Sequence, residues 1–260
     1  MTDSRVDLRR FHHVTIAVED LALAVADWTE RLGWQPSAAS ADRARFPLED
    51  AYVELISAGS GGFAPGVVAV SVAVDNVSEV TERLRAAGVS LSTAADGSTR
   101  VDPSAATGVP LELHAEEGPI DTPPAGGQSG PYRRINHVVV AVADDDSALG
   151  TWSSLFGAWP AHATEGGEVA HHVPVGIAWF GLTSGGTDPT ALARFVERRG
   201  EGVYALAIVV EDHPGTIRAL EQRGARILGS AGDGQTFVHP ATTHGILLDL
   251  VPERHPSRVG

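Results

Sequence analysis

From His13 to Val18 the chain alternates. Val14, Ile16 and Val18 fall on one face of an extended segment, with His13, Thr15 and Ala17 on the other. The period then changes. Leu21, Val25, Trp28 and Leu32 are spaced as one face of a helix that stops at Gly33. Phe46 to Ser57 reads as one or two strands, and Val68 to Val74 as another. Val77, Val80, Leu84 and Ala87 mark a second helix closed by Gly88, and Arg100 to Leu113 holds the final strands.

The pattern then starts again. His13-Val-Thr-Ile-Ala-Val-Glu-Asp20 matches His137-Val-Val-Val-Ala-Val-Ala-Asp144, an offset of 124 from residue 13 to residue 137. Trp28 meets Trp152 and Gly33 meets Gly157 at that offset. Val74-Asp75 pairs with Val210-Glu211, and Val101-Asp-Pro103 with Val238-His-Pro240, the offset growing by small loop insertions. Glu116 to Pro131 is rich in Pro and Gly and keeps no hydrophobic period, so it reads as a linker. The second copy adds one helix, with Asp188 as its cap and Pro189 in the first turn, running to Arg198. The predicted class is α+β: two tandem copies, 8–116 and 132–253, joined by 117–131. Each copy holds two βαβββ-like modules, a mixed sheet with helices outside.

Composition narrows the classes of partner. Hydrophobic residues make up 43% of the 260, enough for sizeable cores. No run approaches a membrane span, and Met1 to Arg10 has no apolar stretch of a signal peptide. The absence of cysteine excludes disulfides and thiolate metal sites and suits a cytoplasmic protein. A formal net charge of -14 argues against nucleic acid and anionic membranes as partners, and leaves neutral or cationic small molecules.

A histidine directly before an apolar strand core, repeated in both copies, resembles the vicinal-oxygen-chelate (glyoxalase, bleomycin resistance, extradiol dioxygenase) superfamily. Arg198 to Asp212 and Phe237 to Leu250 are similar to the second half of its methylmalonyl-CoA epimerase members. The resemblance implies that each copy folds its sheet into a cup around a divalent metal, such as iron, manganese, zinc, nickel or cobalt. The ligands would be a His on the first strand, a His on the first strand of the second module, and a carboxylate on the last strand. Alternation is consistent with the ends of this set, since Glu112 opposes Leu111 and Leu113, and Asp249 opposes Leu248 and Leu250. Copy one offers His13 and Glu112, copy two His137 and Asp249, half of a 2-His-1-carboxylate arrangement in each, and His137 with Asp249 is also the candidate catalytic acid–base pair if no metal binds. The middle positions are Ala69 and Ala205, which have no ligand atom.

Other side chains enter as candidates beside these. Glu54 alternates against Val53 and Leu55, which turns it inward as a candidate general base, and its counterpart is Gly181. Of His171 and His172 only one can face inward; His172 is the candidate for catalysis or for completing a metal shell, and it pairs with Arg45 of copy one. Trp179 and Tyr204 are candidates for an aromatic substrate pocket. Trp28 and Trp152 read as core, His239 and His244 as turn or rim residues, and His12 as packing or surface. The resemblance implies a small-molecule enzyme: isomerase, lyase or dioxygenase chemistry beside a carbonyl or enolate, as in natural-product tailoring. The working cup is expected in copy two. The alternative is a metal-free protein that binds or sequesters a small molecule such as a drug. Association into a homodimer is compatible with either.

Overall fold

The computed structural model describes residues 6–94, 96–116, 130–157, 162–163, 169–184, 189–230 and 235–253. Copy one runs β1 (Leu8–Val18), α1 (Leu21–Asp27), a π-helical turn (Trp28–Leu32), β2 (Ala38–Ala39), β3 (Arg43–Pro47), β4 (Tyr52–Ser57) and the short α2 (Ala58–Gly61). It continues with β5 (Gly66–Val74), α3 (Val77–Ala86), β6 (Leu91–Thr93), β7 (Thr99–Val101), a 3-10 turn (Pro103–Ala106) and β8 (Leu111–Ala115). Copy two runs β9 (Tyr132–Ala141), α4 (Asp145–Phe156), β10 (His162–Ala163), β11 (Val169–Val175), β12 (Ala178–Thr183) and α5 (Pro189–Arg199). It ends with β13 (Gly202–Val210), α6 (His213–Gln222), β14 (Ile227–Ser230), β15 (Gln235–Val238), α7 (Pro240–Thr243) and β16 (Leu247–Pro252). The linker residues 117–129 and the expected cap Asp188 lie outside the described residues.

The duplication is visible in the sheets. The first has the order β2-β3-β4-β1-β5-β8-β7-β6 and the second β10-β11-β12-β9-β13-β16-β15-β14, the same order with every label raised by eight. Both are mixed: β5 pairs with β8 in parallel and β7 with β8 antiparallel, as β13 does with β16 and β15 with β16. The Phe46–Ser57 stretch resolves into two strands, in register Arg45↔Glu54, with His172↔Gly181 at the equivalent place in copy two.

Each of the four modules starts its helix in the same way. A strand ending in apolar residues is followed by a short polar residue whose side chain accepts from the backbone N–H three residues on. Asp20 takes Leu23 N, Asn76 takes Glu79 N, Asp144 takes Ser147 N and Asp212 takes Gly215 N. Such caps satisfy one of the orphan donors of the first turn, at about 1 kcal/mol each. The helices then bury one stripe, Val80, Thr81 and Leu84 in α3 and Ile217 and Leu220 in α6.

The chain folds into two compact units. One comprises the described residues within Met1–Val14, Val67–Pro119 and His137–Tyr204. In it the fully buried Trp152 donates its indole N–H to Thr107 Oγ1 at 2.9 Å. Gly108, at φ +76, lies so close to Glu201 that a Cβ would stand 1.8 Å from that carbonyl oxygen, so only glycine fits. The other unit comprises those within Thr15–Gly66, Ile120–Asn136 and Ala205–Gly260. In it Trp28, also fully buried, donates to Thr243 O at 3.2 Å, and Tyr132 stacks on Trp34 at 4.2 Å while donating to Leu32 O at 2.8 Å. Both tryptophans are core residues, as their helical spacing predicts. Each unit therefore joins a module of one copy to a module of the other.

Candidate functional site

The copy-one site begins at β1. Alternation buries Val14 and Ile16 on one face and brings His13 to the other, where it is 5% exposed. The parallel pairing of β5 with β8 sets Ser71 opposite Glu112, and the antiparallel pairing of β7 with β8 sets Arg100 opposite the same Glu112. Cross-strand neighbours on one face touch. Ser71 Oγ lies 3.1 Å from His13 Nε2 and donates to Glu112 Oε2 at 2.9 Å. Arg100 Nε donates to Glu112 Oε1 at 2.6 Å. On the far side of His13, its Nδ1 lies 2.8 Å from Nδ1 of His12. His114, two residues beyond Glu112 and so on its face, stacks on His12 at 4.6 Å between ring centroids. Its Nε2 is 3.9 Å from Glu112 and 4.0 Å from Asp96.

These contacts fix the direction of the hydrogen bonds. Burial, reinforced by the charges His12 and His114 would carry, pushes the His13 pKa down to about 3. The ring is therefore neutral near pH 7 and carries one proton. Because Ser71 gives its hydroxyl proton to Glu112, His13 Nε2 must donate to Ser71, and its Nδ1 then accepts from His12. Burial by itself would raise the Glu112 carboxyl. The surrounding His114, Arg100 and Ser71 outweigh it and leave the pKa below the ordinary value. The result is one polarised chain, His12 to His13 to Ser71 to Glu112, closed by the Arg100 guanidinium. A cleft of about 300 Å³ reaches its Arg100 and Glu112 end, with Val68, Leu91, Val101 and Pro110 among its walls.

Copy two presents different neighbours at the same places. In its register Asp249 stands opposite Ala207 and Phe237, where Glu112 has Ser71 and Arg100. Asp249 is 7% exposed, and its Oδ1 has no hydrogen-bond partner among the described residues. Burial alone pushes its pKa up to about 7. His137 stacks on Trp179 at 5.0 Å and 7° between planes, and Trp179 also stacks on His172 at 5.1 Å. Burial, then the charge His172 would carry, lowers His137 to about 4. His171 faces the other way and lies 3.2 Å from Asp146, so His172 is the inward member of the pair. Tyr204 packs edge-on against Phe195 at 5.3 Å, and the alternation of β13 sets it on the face opposite Ala205 and Ala207.

Glu54 is buried, and Arg45 Nε donates to its Oε1 at 2.9 Å, with Arg43 3.7 Å away. Arg45 also lies over Tyr52 at 5.0 Å, as His172 lies on Trp179 at the matching positions of copy two. His239 caps α7 by accepting from Ala241 N, and His244 adopts φ 60 and bonds Asp27 at 2.8 Å, so both are turn residues. His12 belongs to the cluster rather than to the surface. Ser71, Arg100 and His114 were not among the sequence candidates. The alternation Glu112-Leu113-His114 carried a signal for His114; Ser71 and Arg100 depend on strand register.

A divalent ion at the inherited position does not fit the copy-one residues. Ala69 is buried and has no donor atom, and both oxygens of Glu112 are engaged, one by Arg100 and one by Ser71. Two groups of described residues could hold an ion elsewhere: His12, His13 and His114, and Asp96, Glu112 and His114, with ligand atoms within 4.8 Å of one another.

The family model for the Glyoxalase/Bleomycin resistance protein/Dioxygenase superfamily matches residues 10–97 and 134–250. The ethylmalonyl-CoA/methylmalonyl-CoA epimerase of Cereibacter sphaeroides is 27% identical over 128 residues, 45% of this chain and 96% of that protein. Among solved structures, homoprotocatechuate 2,3-dioxygenase of Brevibacterium fuscum superimposes with a TM-score of 0.72 at 15% identity, covering 98% of this chain and 83% of that one. The Mn(II)-bound glyoxalase of Novosphingobium aromaticivorans gives 0.66 at 16% identity, covering 97% and 84%. At those identities the structures speak for the fold alone. With the model matched once in each copy, the chain belongs to the Glyoxalase/Bleomycin resistance protein/Dioxygenase superfamily.

Proposed function

We propose that the protein is a small-molecule enzyme that moves a proton beside a carbonyl, and that the working site is in copy one rather than in copy two, where the sequence led us to expect it. The observation that carries this reading is the connected chain His12–His13–Ser71–Glu112–Arg100. The imidazolium formed when a proton is taken up at the imidazole end is balanced by the Glu112 carboxylate, to which the chain connects it. Arg100 lines the cleft and would stabilise negative charge developing on a substrate oxygen. The sequence relatives named as epimerases of CoA esters agree with chemistry at a carbon beside a carbonyl. The net charge of -14 favours a neutral or cationic substrate over a polyanionic one. Any iron, manganese, zinc, nickel or cobalt cofactor would need donors other than the inherited triple.

Solvent deuterium incorporation tests this. A panel of α-hydroxy ketones, 2-oxo acids and acyl thioesters is incubated with the protein in D2O and read by mass spectrometry. Exchange into one of them should fall by about 10²-fold or more in Ser71→Ala and Glu112→Gln and be unchanged in Asp249→Asn. Exchange lost only in Asp249→Asn would return the working site to copy two. Binding without any exchange would favour the alternative of a sequestering protein, which the His137–Trp179–His172 stack also suits as an aromatic platform.

A further inference from the structure

We propose that His12, His13 and His114 form a site for a divalent transition-metal ion of the zinc or nickel class, through Nδ1 of His12 and of His13 and one ring nitrogen of His114, at a place other than the ligand set the sequence led us to expect. Only His13 is common to the two sets. Nδ1 of His12 and Nδ1 of His13 already lie 2.8 Å apart, and a ligand atom of His114 lies within 4.8 Å of both rings' ligand atoms. The opposite edge of the His13 ring is held by a partner of the kind that orients ligands, and carboxylates stand near the His114 ring beyond hydrogen-bond distance. Nε2 of His13 is bonded to Ser71, and Nε2 of His114 faces Glu112 and Asp96 at 3.9 and 4.0 Å. A ligating imidazole ordinarily donates its other N–H to a hydroxyl, carbonyl or carboxylate, which fixes the tautomer and leaves the first nitrogen for the ion. Imidazole donors without thiolate suit zinc, nickel, cobalt or copper, and Glu112 and Asp96 supply negative charge near the ion.

Binding has a structural cost that makes the site recognisable. Bonds of about 2.0–2.1 Å to one tetrahedral ion hold two nitrogens farther apart than a hydrogen bond does. The His12–His13 bond and the His12–His114 ring stack therefore both open when the ion enters, and the proton held between the two Nδ1 atoms moves to Nε2 of His12. Copy two has Asn136, His137 and Val251 at the three corresponding positions and cannot form the site. It is a control built into the same chain.

The ion would take the His12–His13 link that the proton-transfer reading uses, so the metal-bound and metal-free clusters are alternative states, and the test here reads metal bound and not turnover. The full chain, cleared of metal with a chelator, is dialysed against zinc and against nickel, and bound metal is measured. Cobalt(II) is added in parallel, and the visible absorption of a four-coordinate ion is recorded. One ion per chain is expected. His114→Val and His12→Asn, the residues copy two carries, should each weaken binding by at least tenfold, Ser71→Ala by a few-fold, and His137→Ala not at all. Thermal unfolding checks that each variant is folded, and His114→Gln replaces any valine variant that is not. A folded wild-type protein that binds no ion, binding unaffected by loss of His114 or His12, or binding lost with His137 would each overturn the proposal.

Discussion

His13 and His137 hold the same place in two copies of one module, yet their surroundings have diverged in opposite directions. Around His13 the neighbours of Glu112 among the described residues include three polar ones, Ser71, Arg100 and His114. Around Asp249 the corresponding positions are Ala207, Phe237 and Val251. The first carboxylate is held below its ordinary pKa by partners, and the second is driven up to about 7 by their absence. One fold thus carries a carboxylate in each of two protonation regimes, and the residues opposite it in the sheet decide which. A family site can be inherited as backbone and a single histidine while its electrostatics are rewritten one neighbour at a time.

The largest effect expected from breaking this contrast is in copy two. Asp249 is protonated in the folded state up to about pH 7 but ionises near 3.8 when unfolded. Below about pH 4 both states hold the proton. As pH rises toward 7 the unfolded chain releases it first, so stability falls through that window, by about 4 kcal/mol for three pKa units. Asp249→Asn should flatten that slope and raise stability at pH 8 by about 2–4 kcal/mol, read by urea denaturation across pH. An unchanged slope would show that Asp249 has found a partner. Next in size is Arg100→Phe, which gives Glu112 the neighbour Asp249 has. Leaving a buried carboxylate without its cation should cost about 2 kcal/mol in the same assay at pH 7, less than for a fully buried pair because Arg100 is 44% exposed. Ser71→Ala removes a hydroxyl that serves two groups and should cost about 1–2 kcal/mol. The smallest and sharpest is the reverse graft. Ala207→Ser should lower the Asp249 pKa by about one unit, measured by carbon-13 NMR of the carboxyl. No shift would show that the aspartate, one methylene shorter than Glu112, does not reach the hydroxyl.

Most of the fold is legible in the sequence, because duplication writes each signal twice. The strand from Val14 to Val18 and its echo from Val138 to Val142, the capping residues Asp20 and Asp144, and the glycines closing the helices all recur in order. The site was legible only along single strands. Alternation brings out His13, Glu112, His137 and Asp249, and the alanines at 69 and 205 mark the lost ligand. What a strand faces across the sheet depends on register, which the pattern of one strand does not state. Ser71 is two positions from Ala69 and so on the same face, but its opposition to Glu112 comes from the parallel pairing of β5 and β8. Glu54 shows the same limit. It is buried as alternation predicts, and the residue opposite it, Arg45, makes it half of an ion pair.

The paired tryptophans have a consequence for synthesis. Trp28 bonds Thr243, and Trp152 bonds Thr107, so each compact unit is completed by residues far apart in the chain. While the ribosome has delivered only copy one, neither unit can close, and the π-helical turn carrying Trp28 waits through 215 residues for its acceptor. Such late, long-range closure slows folding and leaves apolar faces exposed meanwhile. A break in the linker need not abolish the fold, however. The two halves, made separately, each hold what the other lacks and would complement one another on mixing, as two strands of one clasp.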